Sequence, residues 1–106
     1  MQAAADREAF SIHADDMKLA FLLQSLSAPL RRRYRQDVCK GLTDSEIHLL
    51  QIYYRQNLSI QQTADILSIH KNTLQYRLKK IAETTGLDPR SFGDAVTLYI
   101  ATLPWF

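Results

Sequence analysis

The chain is poor in residues that cross-link a polypeptide, break its helices or anchor it in a membrane. It has one cysteine, Cys39, among 106 residues, so no internal disulfide can form and a secreted disulfide scaffold is excluded. No apolar run approaches the roughly 18–20 residues of a membrane helix. The residues after Met1 also lack the basic and apolar regions of a signal peptide. We therefore expect a cytoplasmic protein that does not enter a membrane.

Charge of one sign is not in excess over the whole chain, but the charges are distributed unevenly. The formal net charge is only +2, which by itself does not indicate a nucleic-acid partner. Residues 1–30 are net acidic, whereas residues 31–55 are net basic. The basic part contains a cluster formed by Arg31, Arg32, Arg33 and Arg35. A solvated helix face is one interpretation of this cluster, and a set of flanking phosphate contacts is the other.

Glycine and proline are scarce, with three residues of each. The segments between them are rich in Leu, Ala, Gln, Arg and Lys, which favour helices, and none shows the alternating pattern of a strand. A T-x-x-E capping box at Thr43–Glu46 and an S-x-x-Q box at Ser59–Gln62 each predict a helix start. The sequence therefore predicts an all-α fold, a small bundle of about five helices.

Two of the predicted helices have the layout of a helix-turn-helix. A short helix over about 60–67 is followed by a turn and by a longer basic helix over about 71–85. Ala64 is small where the two helices would cross, and Ile69 can fill the gap between them. Ser68 stands at a turn position that often holds glycine. No strand pattern follows the second helix, so we expect no wing.

A helical wheel of residues 71–85 separates a buried stripe from a polar face. At about 100° per residue, Leu74, Leu78 and Ile81 fall on one side and predict the buried stripe. Outside the stripe lie amide, phenol and cationic groups, and no acid occurs between Asp65 and Glu83. Such a face suits the major groove of DNA, where amides and cations reach base edges and phosphates. The candidate DNA-binding residues are His70, Lys71, Asn72, Thr73, Gln75, Tyr76, Arg77, Lys79 and Lys80.

These candidates differ in expected role. Asn72, Gln75 and Tyr76 are predicted to contact base edges or sugars. Arg77 lies on a flank, where a phosphate contact and a salt bridge to the capping carboxylate side of the domain are equally plausible. His70 precedes the helix, where it either starts the helix or contacts DNA. Thr73 and Lys80 are predicted to contact phosphates. Lys71 and Lys79 are predicted to contact either phosphates or bases.

Residues 68–88 carry a resemblance to a known family. Their sequence, SIHKNTLQYRLKKIAETTGLD, resembles the C-terminal helix-turn-helix of bacterial PucR/CdaR-type regulators, with its pattern IHxNTxxYRLxxIxxxTG. The resemblance extends over about residues 42–103, and a weaker one links the chain to Fis-type proteins. It implies a promoter-binding output domain of a longer regulator, whose upstream effector-sensing domain is missing from this chain, so that the chain is either a fragment of such a regulator or a stand-alone relative. Residues 1–40 match the family poorly.

The pattern and the resemblance together predict the organisation and function. Residues 42–106 are expected to form the helix-turn-helix DNA-binding domain, and residues 1–41 an N-terminal helical segment for dimerisation or linkage. The predicted function is sequence-specific binding of double-stranded DNA by a homodimer that regulates transcription. The alternative is a helical protein-interaction or dimerisation module without DNA binding, based on the apolar residues of 10–26 and 103–106.

Other functional classes find no support in the residues. The chain has no Gly-rich phosphate loop and no nucleophile elbow, so we expect it not to be an enzyme. His13, His48 and His70 are far apart, and no metal or cofactor site is expected. The remaining apolar and aromatic residues are assigned to the core: Cys39, Tyr53, Tyr54, Phe92 and Tyr99.

Overall fold

The computed structural model describes residues 14–106, with the backbone alone for residues 14–16. The N-terminal apolar residues Phe10 and Ile12, and also His13, lie outside the described residues. Residues 14–106 contain six helices and no strand, and hence no β-wing, which confirms the all-α prediction with one helix more than expected. The helices are α1 Ala14–Gln24, α2 Ala28–Val38, α3 Asp44–Arg55, α4 Ile60–Leu67, α5 Lys71–Thr85 and α6 Phe92–Thr102.

The predicted capping residues begin the helices. At the start of α3, the Glu46 backbone N–H donates to Thr43 Oγ1 at 3.1 Å, and the Thr43 N–H donates to Glu46 Oε1 at 2.9 Å. This reciprocal pair satisfies two backbone donors that a helix start otherwise leaves free. At the start of α4, Ser59 Oγ accepts a hydrogen bond from the Gln62 N–H at 3.1 Å. The box at Thr43–Glu46 therefore forms as the sequence predicts, and at Ser59 the structure shows the bond in which the cap side chain accepts from the helix backbone.

The core lies between α3, α4, α5 and α6. Its buried residues are Leu49, Leu50, Tyr53, Ala64, Leu74, Leu78, Ile81 and Leu98, each at most 2% exposed. Tyr54 lies at the edge of this cluster, and its hydroxyl donates to the Pro89 carbonyl at 3.0 Å. The two helices of the helix-turn-helix thus share one apolar core with the helices on either side of them.

Helix α2 is attached to α6 by polar contacts. The Tyr34 hydroxyl donates to the Thr97 carbonyl at 3.1 Å, and Arg35 Nε donates to the Ala101 carbonyl at 2.8 Å. Cys39, which follows α2, is buried as predicted. These contacts cross the predicted domain boundary between residues 41 and 42, and that partition stays a prediction.

Helices α1 and α6 each leave large apolar side chains exposed. In α1, Ala20 and Leu23 are buried, whereas Met17, Phe21 and Leu22 are exposed. In α6, Phe92 is 85% exposed, so the prediction that it belongs to the core is wrong. Phe92 is the first residue of α6 and lies about 110° around the helix from the middle of its buried side. None of the helices in residues 14–106 combines the length and apolar composition of a membrane span.

Candidate nucleic-acid interface

The turn between α4 and α5 has the compact geometry that the sequence predicts. Ser68 adopts a left-handed backbone conformation, with φ 56° and ψ 43°, at the end of α4. The Ile69 N–H donates to the Ala64 carbonyl at 3.0 Å, and the Ile69 side chain packs against the core. Ala64 is fully buried, so its small side chain lies inside the packed helix pair. The left-handed backbone explains why glycine suits this position.

His70 begins α5. Its side-chain Nδ1 accepts a hydrogen bond from the Asn72 backbone N–H at 3.0 Å, and its backbone is extended, as at other N-caps. The imidazole thus takes the place of the hydroxyl or carboxylate oxygen that caps most helix starts. The structure therefore gives His70 the helix-start role, and the residue remains exposed beside the first turn of α5.

Helix α5 divides into the two faces that the wheel predicts. Leu74, Leu78 and Ile81 are buried, which confirms the apolar stripe. Seven of the nine candidate residues lie on α5 and are exposed: Lys71, Asn72, Thr73, Gln75, Tyr76, Lys79 and Lys80. We call these seven the α5 surface. Tyr76, the aromatic residue of the α5 surface, is 64% exposed.

The α5 surface carries positive charge at both of its ends and no acid between them. Lys71, Lys79 and Lys80 contribute cations, and the first acid of the helix is Glu83, at its C-terminal end. The nearest acid before it along the chain is Asp65 in α4, where the Gln61 side chain donates to Asp65 Oδ1 at 2.9 Å. The arrangement can attract an anion along the helix and offer amides and a phenol to hydrogen-bonding groups beside it.

Arg77 lies apart from these seven residues. It is half-buried, and its Nη2 donates to the Ser45 hydroxyl in the first turn of α3 at 2.9 Å. The sequence left open a phosphate contact and a salt bridge toward the capping box of α3, and in the structure Arg77 is directed toward that box. Its partner, however, is a hydroxyl. Glu46, the carboxylate of the box, accepts instead from the backbone of Thr43.

The arginine cluster of α2 is divided between the protein interior and solvent. Arg31 Nη1 donates to the Phe106 carbonyl at 3.5 Å, and Arg35 donates to the carbonyls at the end of α6. Both are half-buried. Arg32 and Arg33 are exposed, and Arg33 Nε lies 3.7 Å from Asp37 Oδ2 in an exposed pair. Two of the four guanidinium groups are therefore directed to the protein's own carbonyls.

Sequence reasoning did not identify Ser45 as part of this region. Ser45 is 32 positions from Arg77 along the chain, and it is one of several serines that follow or start a helix. Spacing within one helix gives no signal for a partner on another. Within residues 14–106, no group of three or more His, Cys, Asp or Glu side chains is arranged to hold a metal ion.

Residues 47–103 match the family described as the PucR C-terminal helix-turn-helix domain. Among curated proteins, the carbohydrate diacid regulator of Escherichia coli is 46% identical over 52 residues, 49% of this chain and 14% of that protein. The proline-responsive transcriptional activator PutR of Bacillus subtilis is 41% identical over 51 residues, 48% of this chain and 12% of that protein. The protein YsfB of the same bacterium is 37% identical over 92 residues, 85% of this chain and 25% of that protein.

A solved structure shows the same fold. A regulator of polyketide synthase expression from Bifidobacterium adolescentis aligns with a TM-score of 0.58 and 32% identity, over 67% of this chain and 31% of that one. Among the three curated relatives, the matched part of this chain spans a quarter or less of the relative's own length. The relatives with a stated function are named as regulators or as a transcriptional activator. Because the family match covers more than half of the chain, this protein belongs to the PucR C-terminal helix-turn-helix domain family.

Proposed function

We propose that this domain binds double-stranded DNA in a sequence-specific manner, with α5 in the major groove, as the output domain of a transcriptional regulator. The observation that carries the proposal is the α5 surface, a row of exposed amides and cations opposite the buried stripe. A helix of about 10–12 Å diameter fits the major groove of B-DNA. The family membership supports the same function.

Base recognition falls to the first half of α5. Asn72 and Gln75 carry amides that can pair with both hydrogen-bonding groups of an adenine edge, and the exposed Tyr76 can contact a sugar or a base edge. Lys79 and Lys80 follow one turn later, where they would neutralise phosphates. Lys71 and Thr73 lie beside these base-contacting residues. We assign Lys71 to bases or phosphates and Thr73 to phosphates.

Three further candidates support binding without contacting bases: His70, Arg32 and Arg33. His70 supports the base-reading turn by capping it, because its Nδ1 holds the Asn72 N–H. Arg32 and Arg33 are exposed and can make flanking phosphate contacts, Arg33 by exchanging its exposed pair with Asp37 for a phosphate. We assign no phosphate contact to Arg31 or Arg35, because their guanidinium groups donate to carbonyls at the C-terminal end of the chain.

A selection from random duplexes tests the proposal. The domain should enrich one sequence motif, and Asn72→Ala with Gln75→Ala should remove the preference while leaving weak, salt-sensitive binding to any duplex. Gln24 and Gln36 are exposed amides outside α5, so Gln24→Ala with Gln36→Ala is a matched control that should keep the motif. Failure of the unsubstituted domain to enrich any motif would contradict sequence-specific binding.

We also propose that the domain acts as a homodimer, since few phosphate contacts per chain make a single copy a weak binder. The exposed apolar residues Met17, Phe21 and Leu22 of α1 provide a surface for a second copy. Phe21 and Phe92 are 86% and 85% exposed, so they form a matched pair. Light scattering should show dimers that Phe21→Glu converts to monomers and Phe92→Glu does not. A monomer at high concentration would contradict the dimer.

The same α1 surface is the observation that favours the second candidate function, a helical interaction module without DNA binding. Dimers that bind no duplex at low salt would support that module. For the regulator itself, we propose an additional effector-sensing domain, since the matched part of the chain is only a fraction of its relatives' length. We also propose a cytoplasmic location, because a bacterial promoter-binding domain acts where the DNA is. The boundary at residues 41 and 42 is proposed only as the limit of the helix-turn-helix unit, because Tyr34 and Arg35 of α2 contact α6 across it.

A further inference from the structure

Arg77 differs from the lysines of α5 in that its guanidinium bonds to another helix of the domain. The lysines are exposed, whereas Arg77 is half-buried, and its Nη2 donates to the Ser45 hydroxyl of α3 at 2.9 Å in a bond at the protein surface. One of the five donors of this guanidinium is thereby engaged within the protein. The side chain thus connects the middle of α5 to another helix of the same domain.

We propose that Arg77 is a positioning residue, which fixes the orientation of α5 against α3 through Ser45, and that it is not a phosphate ligand. The proposal rests on the DNA-binding function proposed above and adds to it the contact that sets the angle of α5. Arg77 acts through Ser45 on the placement of Asn72 and Gln75, which lie within about one and a half turns of it on the same helix.

The packing of α5 explains why such a device is useful. Leu74, Leu78 and Ile81 hold the helix to the core by apolar contacts, which are not directional. A hydrogen bond, in contrast, weakens steeply outside a narrow range of distance and angle. The Arg77–Ser45 bond therefore restricts the rotation and sliding of α5 that the apolar stripe alone would allow.

Ser45 is a firm point of attachment. It lies in the first turn of α3, between Thr43 and Glu46, whose reciprocal hydrogen bonds fix that turn. Asp44 and Glu46 also place two acids in the same turn. These acids offset the positive end of the α3 dipole, so a guanidinium can approach it. Arginine suits the task because its planar group holds its donors in a fixed geometry.

A double-substitution cycle on DNA binding tests the proposal. Arg77→Met and Ser45→Ala should each weaken binding to the selected duplex by about fivefold, the size of one hydrogen bond. Because both remove the same bond, the double variant should be no weaker than either single one. Ser45→Thr retains the hydroxyl and should bind as the unsubstituted domain does. All measurements are made at a temperature where circular dichroism shows every variant folded.

The salt dependence separates positioning from phosphate contact. Each lost phosphate contact changes the slope of log affinity against log salt concentration by about one. We expect Arg77→Met to keep the slope of the unsubstituted domain and to reduce the preference for the selected duplex over random DNA. A merely stabilising contact would leave that preference unchanged in the folded protein, and this result would overturn the proposal.

Three other results would overturn it. If Arg77→Met lowers the slope by about one while Ser45→Ala binds normally, Arg77 is a phosphate ligand and the positioning role is wrong. If the unsubstituted domain binds no duplex, the proposed function fails together with this inference. Normal binding by Ser45→Ala to a duplex that the unsubstituted domain recognises would reject this inference alone.

Discussion

Arg35 in α2 donates from Nε to the backbone carbonyl of Ala101, in the last turn of α6, at 2.8 Å. The same guanidinium also donates to the Leu103 carbonyl. The last carbonyls of a helix lack partners within the helix, and a cation there is favoured by the helix dipole. Arg35 therefore stabilises the end of α6 and holds α2 against it.

Replacing Arg35 should destabilise the domain. Arg35→Ala is expected to lower the free energy of unfolding by about 1–3 kcal/mol, since carbonyls near the interior lose a charged donor. Arg32→Ala is the matched control, because Arg32 is an exposed arginine of the same helix, and its effect should stay within about 0.5 kcal/mol. Urea unfolding measures both. Equal losses in the two variants would show that the Arg35 contacts contribute nothing.

Two buried threonines should respond oppositely to the loss of a hydroxyl. Thr63 in α4 is fully buried and its Oγ1 has no hydrogen-bond partner, whereas the Oγ1 of the buried Thr102 donates to the Leu98 carbonyl at 2.8 Å. Thr63→Val should raise the free energy of unfolding by about 1 kcal/mol, and Thr102→Val should lower it by a similar amount. Thermal unfolding of both variants checks the pair, and destabilisation by Thr63→Val would contradict the reading of its hydroxyl as unpaired.

The left-handed turn residue of the helix-turn-helix gives a third prediction. Ser68 has φ 56°, a conformation that costs a residue with a Cβ about 1–2 kcal/mol. Ser68→Gly removes that cost but raises the conformational entropy of the unfolded chain. The free energy of unfolding should therefore stay equal or rise by up to about 1 kcal/mol. Ser68→Val should lower it by about 1–2 kcal/mol, because a β-branched side chain is poorly tolerated there. Calorimetry that ranks Val above Gly would contradict the assigned turn geometry.

Stability should fall at alkaline pH. Burial raises the pKa of the Cys39 thiol and the pKa of the Tyr34, Tyr53 and Tyr54 phenols above their ordinary values. Between the unfolded and the folded pKa, the folded chain keeps a proton that the unfolded chain has released, so a rise in pH favours unfolding. The contribution of these groups is complete at pH 7 and is lost above about pH 8.5 for the thiol and about pH 10 for the phenols.

Urea unfolding at neutral and alkaline pH measures this effect. We expect the free energy of unfolding to fall between pH 8 and 11, and Cys39→Ala to remove the part that begins at the lower pH. A free energy of unfolding that stays constant or rises over this range would contradict the burial of these four groups in the folded state.

Local features of this protein could be predicted from the sequence, because their causes lie within a few residues. The box at Thr43–Glu46 contains both of its partners, and the stripe of Leu74, Leu78 and Ile81 follows from the 3.6-residue repeat of one helix. The turn at Ser68 was recognisable because two helix signals flank it. The helix-turn-helix and its exposed face therefore required no knowledge of tertiary contacts.

Contacts between distant residues could not be predicted in this way. Arg35 stands among four similar arginines, and only the position of α6 distinguishes it from Arg32. Arg77 likewise had two equal interpretations until α3 placed Ser45 beside it. Phe92 was assigned to the core by residue type alone, yet it lies at the first position of α6, on the side turned away from the core. Residue type and spacing do not determine which helix packs against which.

Binding of the selected duplex by a charge-reversed α5 is the most direct test of the central claim. Lys79→Glu with Lys80→Glu should abolish binding at low salt. Lys18→Glu with Lys40→Glu changes the net charge equally at exposed lysines outside α5 and should retain most of the affinity. Fluorescence anisotropy over a salt series measures all three proteins. Equal binding by the α5 variant and the unsubstituted domain, or no binding by the latter, would contradict the assignment of α5 to the major groove.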